Sequence, residues 1–124
     1  MRDYKYVYLI GIGGIGMSAV ARWFNAQSIQ VFGYDRASSA LTDRLTQEGI
    51  KIHFEDRVDA MPEEIIHHRE QSLIVYTPAI PSKNRVLSHL KANNYTLCKR
   101  AEILSILTQD RLTLAVAGTH GKTT

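Results

Sequence analysis

The stretch Tyr6-Val7-Tyr8-Leu9-Ile10-Gly11-Ile12-Gly13-Gly14-Ile15-Gly16 decides the reading of this chain. An unbroken run of apolar and aromatic residues is the pattern of a strand buried on both faces of a parallel sheet. The glycines after it satisfy G-x-G-x-x-G. The segment that follows, from Ile15 to Ala26, sets Ile15, Ala19, Val20, Trp23 and Phe24 on one helical face by the 3.6-residue period. Strand, glycine turn and helix in that order make a cradle for a diphosphate. Gly11 forms the tight turn, Gly13 lets the backbone approach the ligand, and Gly16 lets helix and strand pack closely. The diphosphate would rest on free N–H groups between Gly11 and Gly16, with Gly14 and Ile15 at the positive end of the helix dipole.

A second run, Gln30-Val31-Phe32-Gly33-Tyr34, closes on Asp35, nineteen residues beyond Gly16. A carboxylate there can accept hydrogen bonds from a ribose diol. NAD and a UDP-sugar carry the same diphosphate and ribose, so the loop alone leaves open an NAD(P)-binding domain of an oxidoreductase or a nucleotide-sensing regulator. Arg36, beside Asp35, is read as a surface residue rather than as a mark of NADP.

Outward from this unit the alternation continues. Ser38 or Ser39 is placed to cap a helix from Ala40 to Glu48, which Gly49 stops. Lys51 to His53 reads as a short strand, Pro62 as a helix start, and Ser72 to Tyr76 as a central strand leading into Thr77-Pro78-Ala79-Ile80-Pro81. A helix from Asn84 to Asn93, a strand from Tyr95 to Cys98, a helix from Arg100 to Thr108 and a strand from Leu112 to Val116 complete the series. Apolar strands alternating with helices predict an α/β fold: a Rossmann-like, doubly wound parallel sheet of about five strands with helices on both faces. Ligands in such sheets sit at the carboxyl ends of strands, which singles out the loops after Ile10, Tyr34, Tyr76, Cys98 and Val116.

Composition narrows the class. The 124 residues suffice for one core, and hydrophobic and charged shares of 44% and 22% are those of an ordinary soluble globular protein. The net charge is +3 and the fifteen basic residues are scattered, which argues against nucleic acid. One cysteine, Cys98, excludes a disulfide framework and suits a reducing cytoplasm. No signal peptide or membrane span is evident.

A second glycine loop closes the chain. Leu112 to Val116 leads into Gly118-Thr119-His120-Gly121-Lys122-Thr123-Thr124. Gly121-Lys122-Thr123 is the core of a phosphate loop: backbone N–H groups cradle phosphates, Lys122 reaches the β/γ oxygens and Thr123 ligates Mg²⁺. The strict G-x-x-x-x-G-K-[ST] form is not met, because Val116 stands at the first glycine position. Lys122 and Thr123 are the expected catalytic residues. A phosphate loop normally leads into a helix, so the chain is read as a piece cut at a domain border: residues 1–110 form a substrate domain and 111–124 the start of an ATP-binding one. Two such loops in one chain fit an enzyme that activates a nucleotide-linked substrate with ATP.

These residues resemble the Mur ligases. Gly11 to Ser18 is similar to their opening loop in the form carried by the alanine-adding branch, with Met17-Ser18 as its mark. Ala117 to Thr124 resembles the family's shortened ATP loop, shared with folylpolyglutamate synthases. Thr77-Pro78-Ala79-Ile80 is similar to a Ser/Thr-x-Ala-Ile loop, and Lys99-Arg100-Ala101-Glu102-Ile103-Leu104 to Arg-Arg-Ala-Glu-Met-Leu; Pro78 and Lys99 depart from the pattern. The resemblance covers the whole chain. It implies a three-domain enzyme of peptidoglycan synthesis that joins L-alanine to UDP-N-acetylmuramate, with ATP and Mg²⁺ activating the muramic carboxylate as an acyl phosphate. It further implies that Gly11, Gly13, Gly14, Ile15 and Gly16 hold the diphosphate, Asp35 the nucleoside, and Thr77, Ala79 and Ile80 the substrate cleft. Gly118, Thr119, His120, Gly121, Lys122, Thr123 and Thr124 would bind ATP, with Mg²⁺ at Thr123. Nothing in residues 1–117 resembles a general base for the amine, and the chain alone is expected to be inactive because most of the ATP and Mg²⁺ ligands would lie beyond it.

The remaining candidates read as structural. His67 and His68 are neighbours, share no helical face and lack ligand spacing for a metal. His53 and His89 are expected at the surface, Cys98 as a small buried hydrophobe, and Trp23 and Phe24 in the core.

Overall fold

A computed structural model describes residues 4–103 and 105. Five parallel strands form one sheet: β1 (Tyr6–Ile10), β2 (Gln30–Tyr34), β3 (Lys51–His53), β4 (Ser72–Tyr76) and β5 (Thr96–Lys99), in the order β3-β2-β1-β4-β5. The connecting helices are α1 (Ile15–Ala26), α2 (Ala40–Gln47), α3 (Glu63–His67) and α4 (Arg85–Ala92), with 3₁₀ turns at Val58–Ala60 and Arg69–Gln71. Residues 100–103 open the helix expected from Arg100. The rest of that helix, the strand from Leu112 to Val116 and the ATP loop lie outside the described residues.

The period of two along each strand sorts side chains to two faces. Val7 and Leu9 of β1 join Val31, Leu73 and Val75 under α1 and α2, where Met17, Val20, Phe24 and Leu45 close a buried cluster. Tyr8 and Ile10 point the other way, with Phe32, Tyr34 and Ile74, to meet Ile65 of α3 and Val86 and Leu90 of α4. The chain winds outward from β1 to β3 on one face, then crosses back over β1 to β4 and β5 on the other. Neighbouring β1 and β4 therefore send their following loops in opposite directions. In a doubly wound sheet a ligand crevice opens at that switch point.

The stripe expected on α1 is rotated in the structure. Ile15 is 92% exposed and Ala19 is exposed, while Met17, Val20, Ala21 and Phe24 are buried. Those four follow the i, i+3, i+4, i+7 spacing of a sheet-facing stripe. Both stripes of α1 carry apolar residues, and the angle at which the helix leaves the glycine turn decides between them.

Helix exits explain the other small shifts. α1, α2 and α4 all end through a residue in the left-handed region: Ser28 (φ 63), Gly49 (φ 96) and Asn94 (φ 61). Each is followed by a closing bond that reaches back five residues, Ile29 N–H to Phe24 O, Ile50 N–H to Leu45 O and Tyr95 N–H to Leu90 O. This is the capping geometry that glycine and asparagine favour, and Ser28 adopts it as well. At α4 it delays the strand, so β5 begins at Thr96 and not at Tyr95. Tyr95 instead buries its ring, and its hydroxyl donates to Ile65 O at 2.9 Å.

His53 is not a surface residue. Its ring stacks on Tyr8, its Nε2 is hydrogen-bonded to the Tyr8 hydroxyl, and its buried Nδ1 has no hydrogen-bond partner among the described residues. Burial holds the imidazole below its usual pKa and pushes the Tyr8 phenol far above its own. His89 is half-buried, and Cys98 is half-buried against the α1-side cluster. Phe24 lies in the core with Trp23 edge-on against it, as expected.

Candidate functional site

The glycine turn is held from below. Gly11 sits at φ +88, where a side chain is strained, and the N–H groups of Gly11 and Ile12 both donate to Tyr34 O at 2.7 and 3.1 Å. Ile12 is fully buried and lies on Gly33 of β2, where an added Cβ would stand 2.4 Å from Ile12 Cδ1. The glycine that permits close packing beneath the loop is therefore Gly33, outside the motif. At Gly16, expected in that role, the nearest atoms to an added Cβ are those of the Arg100 side chain.

The start of α1 differs from the other helices of eight residues or more among the described residues. α2 begins with a reciprocal cap, in which Ser39 Oγ accepts from Thr42 N–H and Thr42 Oγ1 from Ser39 N–H. α4 begins under Asn84, which accepts from Leu87 N–H at 2.8 Å, and under Asp56, whose carboxylate accepts from Arg85 and Val86 N–H at 3.0 Å each. α1 begins on Gly14 with no side-chain cap and no acidic residue in its first turn. The N–H groups of Ile15 and Gly16 have no hydrogen-bond acceptor among the described residues. An uncapped positive end of this kind is suited to an anion.

Asp35 follows β2 and turns back to the glycine turn. Its Oδ2 accepts from Gly13 N–H at 2.7 Å and its Oδ1 from Arg36 N–H at 2.8 Å. The link between Asp35 and the motif is thus a direct hydrogen bond, with lone pairs left on both oxygens.

Thr77, Pro78, Ala79 and Ile80 follow β4 in a turn closed by Ile80 N–H to Thr77 O at 3.1 Å. An added Cβ on Gly11 would stand 2.9 Å from Ile80 Cδ1, so this loop covers the glycine turn. Gly11, Gly13, Gly14, Ile15, Gly16, Asp35, Thr77, Ala79 and Ile80 all line one cleft of about 760 Å³, together with Met17, Pro78 and Arg100. Every cleft residue expected from the sequence within the described residues meets there. Lysine 122 and the rest of the ATP set, Gly118, Thr119, His120, Gly121, Thr123 and Thr124, lie outside the described residues.

A second cavity of about 440 Å³ continues from Gly11 and Asp35 between Tyr34, Arg36, Asp56, Lys83 and Asn84. Sequence reasoning missed this wall and Arg100. Arg100 opens the helix directly after β5 and stood in the sequence only as part of the Lys99–Leu104 segment, with no role of its own; Tyr34 and Asn84 carry no motif. Tyr34 is buried, and burial together with the nearby Asp56 carboxylate raises its phenol pKa.

His67, His68 and His89 gather around a different cavity, at the amino end of β4 and β5. His68 Nδ1 is hydrogen-bonded to Glu64 O, and no cluster of three metal-ligating side chains occurs among the described residues. No helix among them is long and apolar enough to cross a membrane.

Comparison with known proteins places this arrangement. The family model described as the Mur ligase family, catalytic domain, matches residues 6–111. The chain is 50% identical over its whole length to a UDP-N-acetylmuramate–L-alanine ligase of Christiangramia forsetii, and 51% identical over 97% of its length to one of Porphyromonas gingivalis. It spans about a quarter of each, 27% and 26%. Among solved structures, the UDP-N-acetylmuramate–alanine ligase of Thermotoga maritima superposes on 85% of the chain, and on 23% of that protein, with a TM-score of 0.73 at 24% identity, which speaks for the fold. The glycine turn, the covering loop and the family match agree: this chain belongs to the Mur ligase family.

Proposed function

We propose that this chain is the UDP-N-acetylmuramate-binding part of a cytoplasmic, ATP-dependent ligase that joins L-alanine to that substrate in peptidoglycan precursor synthesis. The observation that carries the reading is the single cleft at the switch point, where the bare start of α1, the Asp35 carboxylate and the Thr77–Ile80 loop face one another. Each part suits a nucleoside diphosphate sugar. The free N–H groups of Ile15 and Gly16 suit the diphosphate, and the remaining lone pairs of Asp35 suit the ribose diol. The second cavity, walled by Tyr34 and Asn84, is contiguous and of a size for a base. Thr77, Ala79 and Ile80 hold the substrate from above.

ATP and Mg²⁺ belong to the continuing protein, at Gly118, Thr119, His120, Gly121, Lys122, Thr123 and Thr124, with Lys122 and Thr123 as catalytic residues and Thr123 as the Mg²⁺ ligand. Bound there, ATP supplies the phosphoryl group that activates the muramic carboxylate toward the amine of L-alanine. Residues 1–110 bind and orient the uridine sugar, and the chain by itself turns nothing over. The names of the relatives support this reading, and none of the relatives reported above favours a nicotinamide enzyme.

Calorimetric titration of the chain with UDP-N-acetylmuramate and, separately, with NADH tests it. Binding of the uridine sugar without a response to NADH is expected. Tight NADH binding with no response to the uridine sugar overturns the reading.

A further inference from the structure

In a G-x-G-x-x-G turn the last glycine is expected to let helix and sheet pack closely. At Gly16 the three atoms that a Cβ would meet first all belong to Arg100. It would stand 2.5 Å from Arg100 Nη1, 2.9 Å from Cζ and 3.0 Å from Cδ. Three atoms along the arginine lie against one glycine, so the guanidinium is laid along the first turn of α1 rather than touching it with its tip. Arg100 starts from the end of β5, two strands away from β1, and is half-buried. Among the described residues it has no carboxylate partner. Across the same cleft, Asp35 occupies the N–H of Gly13. The cleft is therefore polarised, negative on the β2 side and positive on the β5 side.

We propose that Arg100 is the guanidinium that grips the diphosphate of the substrate, and that Gly16 lacks a side chain in order to admit it. The opposed charges of Asp35 and Arg100 then set the direction of the nucleotide. This rests on the cleft being the nucleotide-sugar site. A planar guanidinium offers two parallel donors to phosphate oxygens, which an ammonium does not. Phosphate is repelled from the Asp35 side and drawn to the Arg100 side, while the ribose hydroxyls, as donors, take the carboxylate. The nucleoside accordingly lies over β2 and the sugar leaves toward β5.

The test is calorimetric titration of the chain with UDP and with uridine, in the native protein and in Arg100→Ala, Arg100→Lys, Gly16→Ala and the double variant Gly16→Ala/Arg100→Ala. Thermal melts establish that each is folded. Arg100→Ala is expected to weaken UDP on the order of tenfold or more, the scale of one lost charge-assisted hydrogen bond, while uridine stays within about twofold. Arg100→Lys loses part of that. Gly16→Ala displaces the guanidinium and weakens UDP as well, but adds little once Arg100 is gone. UDP affinity unchanged in Arg100→Ala, equal losses for UDP and uridine, or fully additive losses in the double variant would each overturn the role of Arg100 while leaving the site intact. A native chain that binds neither UDP nor uridine overturns the reading of the cleft and this inference with it.

Discussion

Replacing Gly33 by alanine adds one methyl group in the middle of β2, and the structure sets its consequence. Gly33 has no left-handed backbone, so alanine is conformationally acceptable, and a strand glycine replaced by alanine would by itself gain about 0.5–1 kcal/mol. The new Cβ, however, would stand 2.4 Å from Ile12 Cδ1 and 2.8 Å from both Ile12 Cβ and Cγ2. Relaxed carbon contacts lie at about 3.5–4.0 Å, so the overlap is about 1 Å. A rotamer change relieves Cδ1, but Cβ moves only with the backbone. Overpacking of this kind costs typically about 1–3 kcal/mol, and the backbone displacement places Gly33→Ala at the upper end. The net loss is then about 2 kcal/mol, a fall in melting temperature on the order of 10 °C for a domain of this size. Because Ile12 lies between Gly11 and Gly13, the displacement also pulls Gly13 from Asp35, and UDP affinity falls with stability. Thermal denaturation followed by circular dichroism measures the first effect and titration with UDP the second. Ile12→Val removes the nearest atom, so the pair Gly33→Ala/Ile12→Val should recover part of the loss. A melting temperature equal to or above that of the native protein would refute the packing argument, leaving only the backbone gain.

Gly13→Val should abolish detectable UDP binding, because its Cβ would meet Asp35 Oδ2 at 2.6 Å and Thr42 Cγ2 at 3.0 Å and displace the carboxylate; titration showing native affinity would count against the placement. Acidification should destabilise the fold through His53, whose half-buried ring favours the neutral form. With the folded pKa below the unfolded value of about 6.5, this contribution is complete above that pH and is lost as pH falls toward the folded value. Urea denaturation at several pH values should therefore show a steeper acid loss in the native protein than in His53→Gln, and parallel curves would exclude it. Ser39→Ala should lower stability by about 1 kcal/mol through the lost cap on α2, and Ser39→Asp should restore it, both read from melting curves.

Local chemistry accounts for what was legible in the sequence. The order of strands and helices follows from apolar runs and helical periods, and Gly11 and Gly49 from turns that need a positive φ. Asp35 was recognisable because the chain length between the motif and the end of the next strand is nearly constant in such units. The side of α1 that packs was not legible, since Ile15 and Ala19 are as apolar as Met17 and Ala21; the exit angle of a turn pinned to Tyr34 decides. The same holds for β5, whose start depends on how Asn94 leaves α4. His53 looked like a surface residue in a short strand because its burial comes from Tyr8 and Tyr34 on two other strands.

The local order of this chain, its parallel α/β class and its first anion cradle are thus consequences of short-range spacing, because φ preferences and side-chain periods act between near neighbours. Strand order, the meeting of the Thr77–Ile80 loop with Gly11, the fit of Ile12 on Gly33 and the reach of Arg100 to Gly16 join residues far apart in the chain. They arise only when the crossover from β3 to β4 passes over β1, since burying both faces of the sheet is what brings those distant atoms within contact distance.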